Sequence, residues 1–157
     1  MLDISQASTS EEIATVRALM LEYHALLGVD LRFQGFEAEV RGLPGAYAPP
    51  RGRLLLATHA GTAVGCVALQ EAGWPRGEMK RLFVRPSGRG LGVGRALVSA
   101  VLSQAVVIGY TEVVLDTLPS MTEAQRLYEQ FGFRDIPAYR PNPVHGARYL
   151  SKSLVGA

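Results

Sequence analysis

The stretch that decides the fold runs Glu78-Met79-Lys80-Arg81-Leu82-Phe83-Val84-Arg85-Pro86-Ser87-Gly88-Arg89-Gly90-Leu91-Gly92-Val93-Gly94-Arg95-Ala96. Its first seven residues have strand character, and Arg85-Pro86-Ser87-Gly88 is a strand stop. From about Gly92 to Ile108, Leu97, Val101 and Ala105 recur on one helical face, and Gly109 closes the pattern. The arrangement is therefore strand, tight glycine-rich loop, helix N-terminus. The first turn of a helix carries unpaired N–H groups and a partial positive charge, so it attracts phosphate oxygens. Glycines at 90, 92 and 94 would let a diphosphate approach the main chain, and Arg89 and Arg95 could add charge-assisted hydrogen bonds. Taken alone, the same residues also read as a simple glycine-rich connector.

Two familiar phosphate loops are excluded by counting. G-x-G-x-x-G needs glycine at 95 or 93, where Arg95 and Val93 stand, and G-x-x-x-x-G-K-[ST] fails as well. A dinucleotide oxidoreductase and a P-loop nucleotidase are thereby disfavoured.

Working outward, Met1 to Ala7 reads as a short strand, and Thr9 with Glu12 three residues on marks a helix start. Ile13, Val16, Met20, Tyr23 and Leu27 continue that helix to Gly28. Val29 to Arg51 is too apolar for a linker and too irregular for a long helix, so a folded loop with short helical turns is expected. Arg53–Thr58 and Ala63–Gln70 form a hairpin around His59-Ala60-Gly61-Thr62, and Glu112–Thr117 is a further strand. Ala124, Leu127, Tyr128 and Phe131 mark a shorter helix ending at Gly132, and closing strands are expected near Phe133–Ile136 and Arg148–Leu154. The fold class is α/β or α+β, one domain over residues 1–157, with helices on both faces of a sheet.

The bulk properties agree. A net charge of +2, from 16 basic and 14 acidic residues, gives no case for nucleic acid. Locally, Lys80, Arg81, Arg85, Arg89 and Arg95 cluster, which fits either a solvated face or an anion site. The lone Cys66 sits in an apolar run, reads as a buried small side chain, and allows no intrachain disulfide. The start Met1-Leu2-Asp3-Ile4 lacks a signal-peptide pattern and no apolar run reaches membrane-spanning length, so a cytoplasmic protein is expected. No membrane partner and no metal are expected. His24, His59 and His145 lack ligand spacing, and Ser87 lacks a nucleophile elbow.

Arg89-x-x-Gly92-x-Gly94 resembles the acetyl-CoA signature of the GNAT superfamily of N-acetyltransferases. Glu78 to Pro86 looks like the strand preceding that signature, and Ala124-x-x-Leu127-Tyr128-x-x-x-Gly132-Phe133 looks like the superfamily's second helix-and-strand motif. The three pieces keep the expected order over about 60 residues. The resemblance implies a mixed sheet whose central strands, Glu78–Val84 and Glu112–Thr117, splay apart at one end. It implies that acetyl-CoA lies in the gap, with its pantetheine on the main chain of Leu82, Phe83 and Val84. The diphosphate then rests on Arg89, Gly90, Leu91, Gly92, Val93, Gly94, Arg95 and Ala96.

Acyl transfer to an amine needs a neutral amine, stabilisation of the oxyanion, and a proton or hydrogen bond for the departing thiolate. By its place in the resembling motif Tyr128 is the candidate acid; its neighbours equally fit a core aromatic. Glu78 is the candidate base, direct or through water, or else an ordinary strand-end carboxylate. The resemblance puts the acceptor pocket in Val29–Arg51 and Ile136–Gly146. Gln34, Tyr139 and Asn142 are the candidate acceptor-binding residues, and Asp30, Glu37 or Glu39 could attract an ammonium group. A small amine or amino-acid-like acceptor is preferred, because a bulky loop would narrow the cleft. A protein lysine or N-terminus, a non-catalytic acetyl-CoA-binding module and an interaction domain are the alternatives, and a homodimer is left open.

Overall fold

In the computed structural model, which describes residues 1–28 and 35–155, one seven-stranded sheet organises the chain. The strands are β1 (Leu2–Gln6), β2 (Arg53–His59), β3 (Thr62–Glu71), β4 (Arg76–Val84), β5 (Glu112–Thr117), β6 (Arg134–Asp135) and β7 (Arg148–Ser153). Their order is β1-β2-β3-β4-β5-β7-β6, and every neighbouring pair is antiparallel except β4 with β5, which run parallel. The sheet is mixed, as expected. The helices are α1 (Ser10–Leu27), α2 (Phe36–Arg41), α3 (Val93–Ile108) and α4 (Thr122–Gln130).

Local chemistry sets the element ends. Thr9 Oγ1 accepts from Glu12 N at 3.1 Å while Glu12 Oε1 accepts from Thr9 N at 3.0 Å, a reciprocal cap that starts α1. Gly28 and Gly109, at φ +69° and +107°, end α1 and α3 in the left-handed conformation. The segment before β2 holds α2 and a 3-10 turn at Gly45–Tyr47, in keeping with the expected folded loop. Its residues 29–34 lie outside the described residues.

The central strands bury both faces, which is why they read as nearly continuous apolar runs. Leu54, Leu56, Cys66, Ala68 and Phe83 pack under α1 and α2 with Val16, Leu19, Met20 and Tyr47. Leu55, Val67, Leu69, Met79, Val113 and Leu115 pack under α3 and α4 with Leu97, Val101 and Tyr128. Cys66 is fully buried and burial pushes its thiol up to about 12, so it is an inert core side chain.

Two irregularities in β4 open the sheet. The β3–β4 register passes from Cys66↔Phe83 to Ala68↔Lys80, two residues on β3 against three on β4. The extra residue is a β-bulge, and within it Arg81 takes φ +62°, a strained value for a side chain of its size. On the other side, β4 and β5 pair only at Arg76↔Glu112, Gly77↔Val113 and Glu78↔Val114. Beyond Glu78 the two strands part, and the rest of β4 has no partner on its β5 side. The splay lies between the strands expected to carry it.

Close packing on the far side of β4 depends on Gly65, opposite Val84. A Cβ there would lie 2.6 Å from Phe83 O and 3.1 Å from Val93 Cγ1. Gly65→Ala should therefore lower stability by about 1–3 kcal/mol through overpacking. Urea unfolding with an unshifted midpoint would contradict the packing described.

Candidate active site

The splay leads into a cleft of about 750 Å3. One wall is the unpaired part of β4, Met79 to Val84; the other is Asp116 and Thr117 of β5, with Tyr128 and Leu127 of α4. At one end lie Gly88, Arg89, Gly90, Gly92, Val93 and Gly94, and Asn142 reaches the lining from the loop before β7. The cleft thus joins the three sequence segments that carried the resemblance.

At the glycine-rich end the chain is built to receive an anion. Gly92 caps α3 at φ +74° without any side-chain cap bond, and Ala96 N is the first amide to bond back, to Gly92 O at 3.0 Å. The N–H groups of Val93, Gly94 and Arg95 thus begin the helix unpaired, as the first turn of any helix does. Gly90 and Gly92 both have positive φ, and a Cβ on either would meet no protein atom within 4 Å. Those positions face open space, the space a diphosphate requires, and side chains there would be strained as well as obstructive. The loop therefore fits the diphosphate of acetyl-CoA.

Of the residues expected to hold that cofactor, Leu82, Phe83, Val84, Arg89, Gly90, Gly92, Val93 and Gly94 line the cleft, whereas Leu91, Arg95 and Ala96 do not. The Leu91 side chain is exposed. Arg95 turns its guanidinium to Gln130 on α4 and over the Phe131 ring, leaving its backbone amide for an anion. Ala96 lies one turn into the helix with its amide already bonded.

The local run of basic residues is neither a solvated face nor one anion site. Lys80 and Arg81 are buried, and Arg85 is bonded to Glu22 with Nε–Oε1 at 2.9 Å. Of the five, Arg89 is the one that lines the glycine-rich end of the cleft.

Tyr128 is buried on α4, tilted against Phe133 and facing the cleft. Burial raises its phenol pKa, with Tyr23 and Asp116 adding to the effect, so the hydroxyl keeps its proton. Glu78, the last residue of β4 paired to β5, is 1% exposed. Its carboxylate accepts from Gln70 Nε2 at 2.9 Å and from Tyr139 Oη at 2.8 Å, and it forms an ion pair with Arg140. Tyr139 is therefore fixed at Glu78, and burial raises its own pKa. Asn142 donates to Asp116 Oδ2 at 3.4 Å and accepts from Val144 N at 2.9 Å, which orders the loop it stands on.

Glu39 does not offer a free charge to an ammonium group. Arg81 grips it through two bonds, Nε–Oε2 at 2.9 Å and Nη2–Oε1 at 2.8 Å, and also lies over the Phe36 ring. Burial opposes its ionisation, but the hydrogen bonds and charge of Arg81 outweigh this and hold the carboxyl below its usual value. Glu37 is exposed on α2, and Gln34 and Asp30 lie outside the described residues. The sequence pointed to Lys80 and Arg81 only as members of a basic run, and gave no site role to Tyr23, Asp116 or Arg140, of which Tyr23 and Asp116 line the cleft. Strand alternation could have paired Lys80 with Glu78 on one face; nothing in the sequence signals the bulge that turns Arg81 inward.

Comparison with known proteins agrees with this geometry. The family model described as Acetyltransferase (GNAT) family matches residues 19–133. An uncharacterized N-acetyltransferase of Schizosaccharomyces pombe is 38% identical over 151 residues, covering 95% of this chain and 93% of its own length. A GNAT-family acetyltransferase from Staphylococcus aureus superposes with a TM-score of 0.81 at 20% identity, over 98% of this chain and 99% of that one. A GNAT acetyltransferase from Elizabethkingia anophelis, solved with acetyl-CoA bound, gives 0.70 at 20% identity over 98% of each chain. With the family matched across most of its length, the chain belongs to the GNAT acetyltransferases and is an N-acetyltransferase.

Proposed function

We propose that the protein moves an acetyl group from acetyl-CoA to the primary amine of a small, amino-acid-like acceptor, by direct attack in a ternary complex. The observation that carries this reading is the cleft itself, with open glycine positions and unpaired amides at one end. Tyr128 lines that cleft, and the Glu78 carboxylate with its Tyr139 and Arg140 partners lies just outside the lining, at the last paired position before β4 and β5 part. Acetyl-CoA supplies the thioester carbonyl that the amine attacks and the sulfur that leaves.

The amides of Gly92, Val93, Gly94 and Arg95, with Arg89, hold the diphosphate. The bare edge of β4 at Leu82 to Val84 offers main-chain groups to the pantetheine arm, as an unpaired strand edge does to any extended chain. Tyr128 donates its hydroxyl proton, or a hydrogen bond, to the departing sulfur. Glu78 receives the acceptor's proton. Three donors already occupy its oxygens, so that proton travels through the Tyr139 hydroxyl bonded to Oε2 rather than to a bare carboxylate. Tyr139 and Arg140 fold the 136–146 loop onto Glu78 and narrow the acceptor side, which favours a small molecule over a protein lysine or N-terminus.

A panel of amines, amino acids and short peptides, followed by free CoA with a thiol reagent, tests the proposal. Faster release with peptides would make a protein the acceptor, and acetyl-CoA binding without release to any amine would make the domain a non-catalytic binder. Gly92→Asp puts a negative charge and a side chain at φ +74°, and should weaken acetyl-CoA binding about ten- to a hundredfold. Normal affinity by calorimetry would remove the diphosphate from this loop. Tyr128→Phe should lower kcat by about 100-fold with little change in melting temperature; an unchanged kcat would end the acid assignment. Glu78→Gln should lower kcat at unchanged KM for acetyl-CoA, with melting measured alongside because an ion pair is lost. Full activity in a folded variant would discard the base.

A further inference from the structure

Among the described residues, the ion pairs that close around β4 on the α1/α2 face leave Lys80 out. Arg81 is held by Glu39 and Arg140 by Glu78. Lys80 lies between them on β4, only 8% exposed, and among the described residues its ammonium makes no hydrogen bond or ion pair. Glu39 and Asp116 act on it only through their charge, without a bond to it. A buried ammonium that no acceptor holds directly is costly, and proteins rarely keep one without a ligand or function to match it. Burial, and then the charge of Arg81, pulls Lys80 down to about 8, which still leaves it mainly protonated at neutral pH.

The position of Lys80 relates it to both cavities. It lines the acetyl-CoA cleft and also a separate cavity of about 330 Å3, whose other polar walls are Glu39, Tyr47, Gln70 and Arg140. No side-chain nitrogen or oxygen sealed from solvent lacks a partner among the described residues, so the ammonium opens onto this space rather than being shut in. Lys80 is four residues from Val84 along β4, on the order of 13 Å, which separates it from the diphosphate end. It stands instead where β4 and β5 part. Glu78 pairs with Val114, so Lys80 and Asp116 are the next residues on the same face, one on each side of the gap. Asp116 lines the cleft and acts on Lys80 through its charge across the gap, without a salt bridge closing between them.

We infer that Lys80 holds a carboxylate of the acceptor while Asp116 faces its amine, so that the substrate class is a small amino acid or related amino-carboxylate, not a simple amine. The inference rests on the acetyltransferase reading of the same site. Lys80 and Asp116 both line the larger cleft, and Lys80 alone of the two also borders the cavity of about 330 Å3, which leaves room beside the ammonium for a small acceptor. A monocationic amine would meet the unpaired Lys80 without compensation. An amino-carboxylate presents opposite charges to Lys80 and Asp116 and satisfies both.

The test uses matched acceptors, amino acids against their carboxamides, with CoA release as readout and acceptor binding to the CoA-loaded protein measured by calorimetry. The intact protein should prefer the acids, with the amides raised about 10–100-fold in KM. Lys80→Met should erase that preference at unchanged KM for acetyl-CoA, and Lys80→Arg should restore part of it. Equal use of acids and amides by the intact protein, or an acid preference surviving in Lys80→Met, overturns the inference while leaving the transferase reading intact. A kcat loss in Lys80→Met that is equal for acids and amides also overturns it, and assigns Lys80 to the thioester oxygen. Carboxylate-dependent binding without CoA release from any amine would uphold the carboxylate site and overturn the transferase reading; absence of both overturns both.

Discussion

The site depends on one strained residue. Arg81 occupies a left-handed backbone position inside a strand, which costs on the order of 1–3 kcal/mol unless the surroundings hold it. They do: its guanidinium is buried, forked onto Glu39 and laid over Phe36, so the arm from α2 clamps the bulge from outside the sheet. The extra residue increases the local twist of β4 and accompanies its departure from β5 after Glu78. Without that departure the cleft would be closed by ladder hydrogen bonds. Glu39 therefore supports the shape of the strand through its bonds to Arg81.

The same face distributes its charge in a fixed pattern. Two arginines are spent on two carboxylates, the half-buried Glu39 and the buried Glu78, and each pair ties an element outside the sheet to β4: α2 through Glu39–Arg81, and the loop before β7 through Glu78–Arg140. Such pairs contribute little net stability once desolvation is counted, but breaking one leaves a buried charge exposed to a poor environment. Their service is geometric. They hold the elements around Lys80 at set distances from the gap between β4 and β5.

Much of the architecture was legible because its signals are local. Thr9 and Glu12 announced α1, Gly109 ended α3, and the double-faced apolar runs of β2 and β3 marked buried strands. Arg89-x-x-Gly92-x-Gly94 marked the candidate donor end, because a glycine-rich helix start with open positions is a local feature of the chain. The acceptor end was read less well. Tyr139 and Asn142 do reach the region, yet they bond to Glu78 and Asp116, while Glu39 is neutralised by a residue 42 positions away. Arg95 resembled a phosphate ligand by spacing alone and instead bonds to Gln130.

The sequence by itself determined the order of the elements, the glycine-rich helix start and the placement of Tyr128 on a helix beside it, since each is set by residues within a few positions of one another. Only the tertiary structure decided where β4 parts from β5, which cations are cancelled and which is left uncancelled. Those outcomes turn on the bulge at Arg81 and on ion pairs closed by residues from α2 and the 136–146 loop. A charge can be counted from a sequence, but its chemistry depends on which counter-charge the fold brings within hydrogen-bonding distance.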